Sequence, residues 1–90
     1  MEDYLKKIFQ ERKDLSEEDK ILIEKAYSFA EEAHKGQMKG KKPFFIHPAT
    51  VGLRLAEWGQ DSKIISAGLL HDTVEDTKVK LSEIKKEFGE

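Results

Sequence analysis

Ninety residues allow one domain at most, with 16 Lys plus Arg set against 18 Asp plus Glu for a formal net charge of −2. That balance argues against a general nucleic-acid-binding face, and a 38% hydrophobic share argues against disorder. Without cysteine there is neither a disulfide framework nor thiolate zinc ligation, and the charged start MEDYLKKIFQERKDL has no apolar h-region, so the expectation is a cytoplasmic chain with no membrane partner.

Leu5, Ile8 and Phe9 predict a short amphipathic helix ending near the polar run Glu11 to Asp14, and residues 1–15 read as a leader to a domain over 16–90. Ser16 and Asp19 form a capping-box pattern, Glu17 and Glu18 suit the positive end of a helix dipole, and Leu22, Ala26, Phe29, Ala30 and Ala33 line one face. A long helix is expected from Glu17 to Lys35, stopped at Gly36. Residues 36–46, GQMKGKKPFFI, read as a loop rich in glycine and lysine. Pro48 at the first helical position would make His47 the N-cap of a helix running to Trp58 and closed by Gly59. Asp61 caps the next helix, whose apolar set is Ile64, Ile65, Ala67, Leu69, Leu70 and Val74. Beyond a loop at 77–80, Leu81, Ile84 and Phe88 outline a last short helix ending at Gly89. No segment sustains period-two alternation, so the fold class is all-α, a bundle of about five helices.

The chemistry concentrates between His47 and Asp76. His71 and Asp72 are neighbours that point about 100° apart on a helix, so they can share one ion only in a groove against another helix. His47 is a reasonable third ligand, because a short turn between antiparallel helices sets the start of one beside the end of the other. A mixed imidazole and carboxylate set suits manganese or iron before calcium or magnesium. The plainer alternative for His47 is a cap or a packed ring. Glu75 and Asp76 follow His71 and Asp72 by one turn, where a carboxylate can orient a water or take its proton; the alternative is a solvated acidic helix end. Lys35, Lys39, Lys41 and Lys42 offer cations for a phosphorylated substrate, with Phe44 or Phe45 to stack on a base, although such loops are commonly just solvated. His34, at the end of an apolar face, reads as a packed ring outside any metal shell.

AYSFAEEAHKGQ, PFFIHP, AGLLHDTVEDT and LSEIKKEFG follow in the order and approximate spacing of the HD-type hydrolase domain of the RelA/SpoT family, and the chain resembles that domain over about residues 20–90. The resemblance implies an all-helical HD domain that binds Mn²⁺ and hydrolyses the 3′-pyrophosphate of guanosine tetra- and pentaphosphate, (p)ppGpp, to GDP or GTP and pyrophosphate, within a bifunctional GTP pyrophosphokinase and hydrolase of the stringent response. Carried over by position, His47, His71 and Asp72 would be metal ligands and Glu75 with Asp76 would handle the attacking water. Lys39 stands where the family commonly has an arginine facing the nucleotide, Phe44 replaces a tyrosine, and the loop between Gln37 and Pro43 is about one residue shorter.

The family also closes its metal shell with an aspartate well downstream. The expectation is therefore the N-terminal part of a hydrolase domain, inactive by itself, with apolar faces around Phe29, Leu55, Leu70 and Phe88 open to self-association. Two alternatives stand beside this reading. One is a stand-alone small alarmone hydrolase or another HD nucleotide phosphohydrolase, and the other is a catalytically silent HD domain kept for regulation.

Overall fold

The first two helices begin where a side-chain oxygen takes up amide groups that have no partner inside the helix. In a computed structural model, which describes residues 3–88 with the side chain of Lys39 excepted, α1 spans Tyr4–Glu11 and is capped by Asp3, whose Oδ1 accepts from the Lys6 amide at 3.1 Å. Helix α2 spans Glu17–Ala33 behind the expected capping box, with the Asp19 amide donating to Ser16 Oγ at 3.1 Å and the Ser16 amide to Asp19 Oδ2 at 3.2 Å. Each such cap contributes about 1 kcal/mol. Helices α3 (Ile46–Glu57), α4 (Ser62–Leu70), α5 (Thr73–Asp76) and α6 (Leu81–Phe88) follow. Asp61 caps α4 as the sequence predicts, its Oδ1 accepting from the Ile64 amide at 2.9 Å.

The fold is all-α, with five helices of eight or more residues and the single turn α5. Helices α2, α3 and α4 enclose the core, and α1 lies across α3. Ile8, Ile23, Ile65 and Leu69 are fully buried there, and burying a side chain of that size stabilises by roughly 1.5–3 kcal/mol. Ile8 brings α1 into this core. Two glycines let α3 and α4 close on each other. A Cβ at Gly52 would sit 2.6 Å from Leu69 Cδ2, and one at Gly68 would sit 2.5 Å from Leu55 Cδ1. Each helix thus receives a leucine of its partner at the place where it has no side chain.

Four local expectations change. Helix α2 ends at Ala33, two residues early, because His34 (φ −92°, ψ 5°) leaves helical geometry as the C-cap and Gly36 turns away at φ 86°. The loop at 36–46 holds a short antiparallel ribbon, β1 (Met38–Lys39) against β2 (Lys42–Pro43). Helix α3 begins at Ile46 with Phe45 as N-cap, so His47 lies inside its first turn. Pro48 is tolerated there because the first four amides of a helix need no carbonyl partner. The segment read as one helix through Val74 breaks at His71 and Asp72, a turn between α4 and α5.

The apolar stripes are also rotated from the sequence reading. On α2 the buried set is Ile23, Ala26, Tyr27 and Ala30. On α4 Ile65, Leu69 and Leu70 are buried, while Ile64 on α4 and Val74 on α5 are exposed. The expected end of the last helix at Gly89 lies outside the described residues, as do Met1 and Glu2 of the leader.

Candidate metal centre

Helices α3 and α4 run back to back through a short turn at residues 58–61, so the first turn of α3 meets the last turn of α4. His47 and His71 come together there, with ring centroids 5.4 Å apart. Asp72, at the break after α4, turns its carboxylate toward both rings. Its Oδ2 lies 3.3 Å from His47 Nε2 and 3.0 Å from His71 Nε2. One donor atom from each residue falls within 4.8 Å of the other two, and this is the one such imidazole and carboxylate group among the described residues. Asp72 is 17% exposed at its side chain against 49% for His47 and 39% for His71. The cluster thus opens to solvent on the histidine side and is backed by protein at the carboxylate.

The hydrogen bonds of His71 orient this group. Nδ1 lies 2.6 Å from the Gly68 carbonyl oxygen, which can only accept, so Nδ1 carries a proton. In that tautomer Nε2 presents a lone pair to the Asp72 carboxylate 3.0 Å away. Two acceptors at that distance repel unless a cation lies between them. The cation is either a second proton on the ring or a metal ion, and the His47 nitrogen facing the same oxygen supplies a third donor for the latter. The donor set fits a first-row divalent ion, and three protein ligands leave positions open for water and substrate oxygens.

The acids that follow divide between two depressions. Glu75 shares with His71 a groove of about 690 Å³ whose walls include Leu70, Val74, Leu81, Ile84 and Phe88. Asp76 lines a separate surface hollow with Gln37, Lys35 and Lys78. Both acids are exposed, and neither belongs to the three-residue cluster. Glu75 thus lies in the groove that His71 lines, while Asp76 opens onto the hollow beside Gln37, as successive residues of a helical turn point about 100° apart.

The ribbon residues reach the site through Phe44. Its ring stacks on His34 with centroids 5.0 Å apart and meets the edge of His47 at 6.3 Å. One Phe44 face is therefore already engaged. Phe45 points the other way, 9% exposed and edge-on to Tyr27 at 4.9 Å, so it is a core residue and not a stacking platform for a base. Lys41 and Lys42 are exposed at the ribbon turn, and Lys39 stands beside them on β1, its side chain outside the described residues. His34 is 1% exposed and apart from the cluster, as the sequence reading had it. Sequence reasoning missed the Gly68 carbonyl and Gln37. A main-chain oxygen leaves no sequence signal, and Gln37 sits unremarked in the AHKGQ segment.

Residues 26–90 match the HD domain family. Over 70 residues, 76% of this chain and 10% of the relative, the sequence is 53% identical to a guanosine-3′,5′-bis(diphosphate) 3′-pyrophosphohydrolase of Aquifex aeolicus. It is 48% identical over 69 residues (76% of this chain, 8% of the relative) to a GTP pyrophosphokinase of Streptomyces coelicolor. A probable guanosine-3′,5′-bis(diphosphate) 3′-pyrophosphohydrolase of Mycoplasma pneumoniae is 41% identical over 88 residues, 97% of this chain and 12% of the relative. The chain spans about a tenth of the length of these curated relatives. With the family matched over most of its length and the imidazole and carboxylate cluster assembled at its centre, the chain belongs to the HD-domain family and matches the N-terminal hydrolase region of RelA/SpoT proteins.

Proposed function

We propose that the chain carries metal ligands of a manganese-dependent hydrolase that removes the 3′-pyrophosphate of guanosine tetra- or pentaphosphate in the cytoplasm. The observation that carries this reading is the convergence of His47 Nε2 and His71 Nε2 on one oxygen of Asp72, at 3.3 and 3.0 Å. Similarity to proteins named for that reaction supplies the substrate class. His47, His71 and Asp72 would hold the ion, and a divalent cation there would supply Lewis-acid polarisation of a phosphoryl oxygen.

The remaining work belongs to side chains of this chain. The Gly68 carbonyl holds the His71 ring in the tautomer that offers Nε2 outward. Glu75, exposed in the groove beside His71, accepts a proton from water as its oxygen bonds to the phosphorus carried on O3′, with Asp76, which opens onto the neighbouring hollow, as the second acid of the turn. The bond between that phosphorus and O3′ then breaks, O3′ leaves as a hydroxyl after taking a proton, and pyrophosphate departs from GDP or GTP. Lys39, Lys41 and Lys42 on the ribbon neutralise phosphate charge, and the free side of Phe44 borders the base.

The test uses the full-length product of the reading frame that encodes these residues, supplied with guanosine tetraphosphate and Mn²⁺, with products separated by anion-exchange chromatography. GDP and pyrophosphate in equal amounts, lost with a chelator and in His71→Ala, are expected. An intact substrate after prolonged incubation, with Mn²⁺ bound, would overturn the reading in favour of a silent regulatory HD domain.

A further inference from the structure

Helix α5 is a single turn of four residues, too short to persist without outside support. It nevertheless carries Glu75 and Asp76. Within the chain near it, the Thr77 hydroxyl donates to the Thr73 carbonyl at 2.5 Å, and the Thr73 side chain is fully buried. One side chain reaches α5 from across the molecule. Gln37 Nε2 donates to the Asp76 carbonyl oxygen at 2.5 Å, over a separation of 39 residues. That carbonyl is among the last of its helix, where no further helical amide follows.

The bond fixes the Gln37 amide. A carbonyl can only accept, so the NH₂ group faces Asp76 and Oε1 faces the other way. Oε1 lies 3.0 Å from His34 Nδ1 and accepts its proton. His34, in turn, is 1% exposed, stacked on Phe44, and its Nε2 is buried with no hydrogen-bond partner. The ring, through its face, and Nδ1, through its proton, are thus both engaged within the protein. Both lead to the site. Nδ1 orients Gln37 and through it the end of α5, while the ring face supports Phe44, which abuts His47 at 6.3 Å.

We propose that His34 and Gln37 are a positioning pair for the reaction. They hold α5 so that the Glu75 carboxylate stays in the groove beside His71, and the His34 ring supports Phe44. The proposal rests on the hydrolase reading for its consequence in rate, while the tether itself is testable without any substrate. The Gln37 side chain bonds to neither the metal cluster nor Phe44, so its loss acts on the placement of α5 and leaves the ion in place.

The experiment pairs hydrogen exchange with kinetics on the full-length protein. In Gln37→Ala, the amides of Asp76 and Thr77, which close α5 onto Asp72 and Thr73 at 2.9 and 3.1 Å, should exchange at least about tenfold faster, while those of buried Ile23 and Ile65 keep their rates. For alarmone hydrolysis, kcat should fall by roughly 10–100-fold with KM and Mn²⁺ affinity within about twofold, as expected of displaced groups. His34→Asn, which keeps a donor near the Nδ1 position, should restore most of kcat relative to His34→Phe, which keeps the ring and loses the donor. Should His34→Phe fail to fold, the half-buried Gln37→Ala variant decides alone. Unchanged exchange at Asp76 and Thr77 in Gln37→Ala would overturn the tether, and so would a uniform rise across all helices. A wild-type protein without hydrolysis but with the selective exchange effect would overturn the hydrolase reading and leave the tether standing.

Discussion

Helices α3 and α4, and helices α5 and α6 after them, are held by different means. The α3–α4 pair is fixed by interlocking, with Leu69 filling the space over Gly52 and Leu55 that over Gly68. Its meeting ends carry His47 and His71. By contrast, α6 buries none of its residues completely. It rests on the edge-to-face pair of Phe29 and Phe88 at 5.6 Å and on Lys25, which donates to the Glu87 carbonyl at 2.5 Å. Helix α5 receives a hydrogen bond from Gln37 on its last carbonyl. On the proposed reading, the ligands for a cation are placed by packing, and the acids for moving protons by individual side-chain contacts. Metal binding and catalysis should therefore fail separately.

The largest separation comes from the cluster itself. Asp72→Ala removes the oxygen on which both imidazoles converge, so Mn²⁺ affinity should fall by more than the ~10–100-fold typical of losing an outer partner, with helical circular dichroism retained. Calorimetric titration checks this, and unchanged affinity would move the ion elsewhere. On the other side, Glu75→Gln or Asp76→Asn should lower hydrolysis by about 10²-fold with metal content unchanged. Full activity in both variants would return these residues to a solvated helix end. Since Glu75 shares the groove with His71, its effect should be the larger.

Packing variants sharpen the same contrast in stability. Gly68→Ala forces Leu55 and Val51 aside, atoms that would lie 2.5 and 3.2 Å from the new methyl. Denaturant unfolding should show a loss of about 1–3 kcal/mol, accompanied by weaker Mn²⁺ binding because the Gly68 carbonyl orients His71. Phe88→Ala should cost less, and about 0.5–1.5 kcal/mol of that is the ring pairing itself. Hydrogen exchange should place the loss in α6 and leave α3 and α4 protected.

The smallest effect is electrostatic. The Arg12 guanidinium beside Asp14 holds that carboxyl at about 2, against an unfolded value of roughly 3.9. Hydrogen bonds from Ser62 and then from Ser16 likewise hold Asp19 below the usual carboxylate range. Depressed folded values mean that the contribution is complete above about pH 4 and is lost as pH falls toward 2. Asp14→Asn should flatten the acid limb of a pH–stability curve by a small amount, since the pair is exposed and screened.

What could be read from sequence alone was local or periodic. The caps at Ser16 and Asp61 depend on residues three apart, and the pairing of His47 with His71 follows from two helices joined by a short turn. The start of α3 lies beyond local signals, since Phe45, already at helical φ and ψ before His47, is packed edge-on against Tyr27 from a distant helix. The break at His71 and Asp72 was hidden by apolar spacing that continues through Val74. Two-residue strands are too short for any periodicity, and the bond from Gln37 to Asp76 spans 39 residues with no pattern between its ends.

On the proposed reading, His47, His71 and Asp72 hold one divalent cation. Pulsed electron paramagnetic resonance of the Mn²⁺-loaded protein reads it directly through nitrogen couplings to the ion. Couplings from two imidazoles are expected, reduced to one in either His47→Ala or His71→Ala and lost with release of the ion in Asp72→Ala. A bound-Mn²⁺ spectrum with no imidazole coupling, unchanged by all three substitutions, would contradict the account.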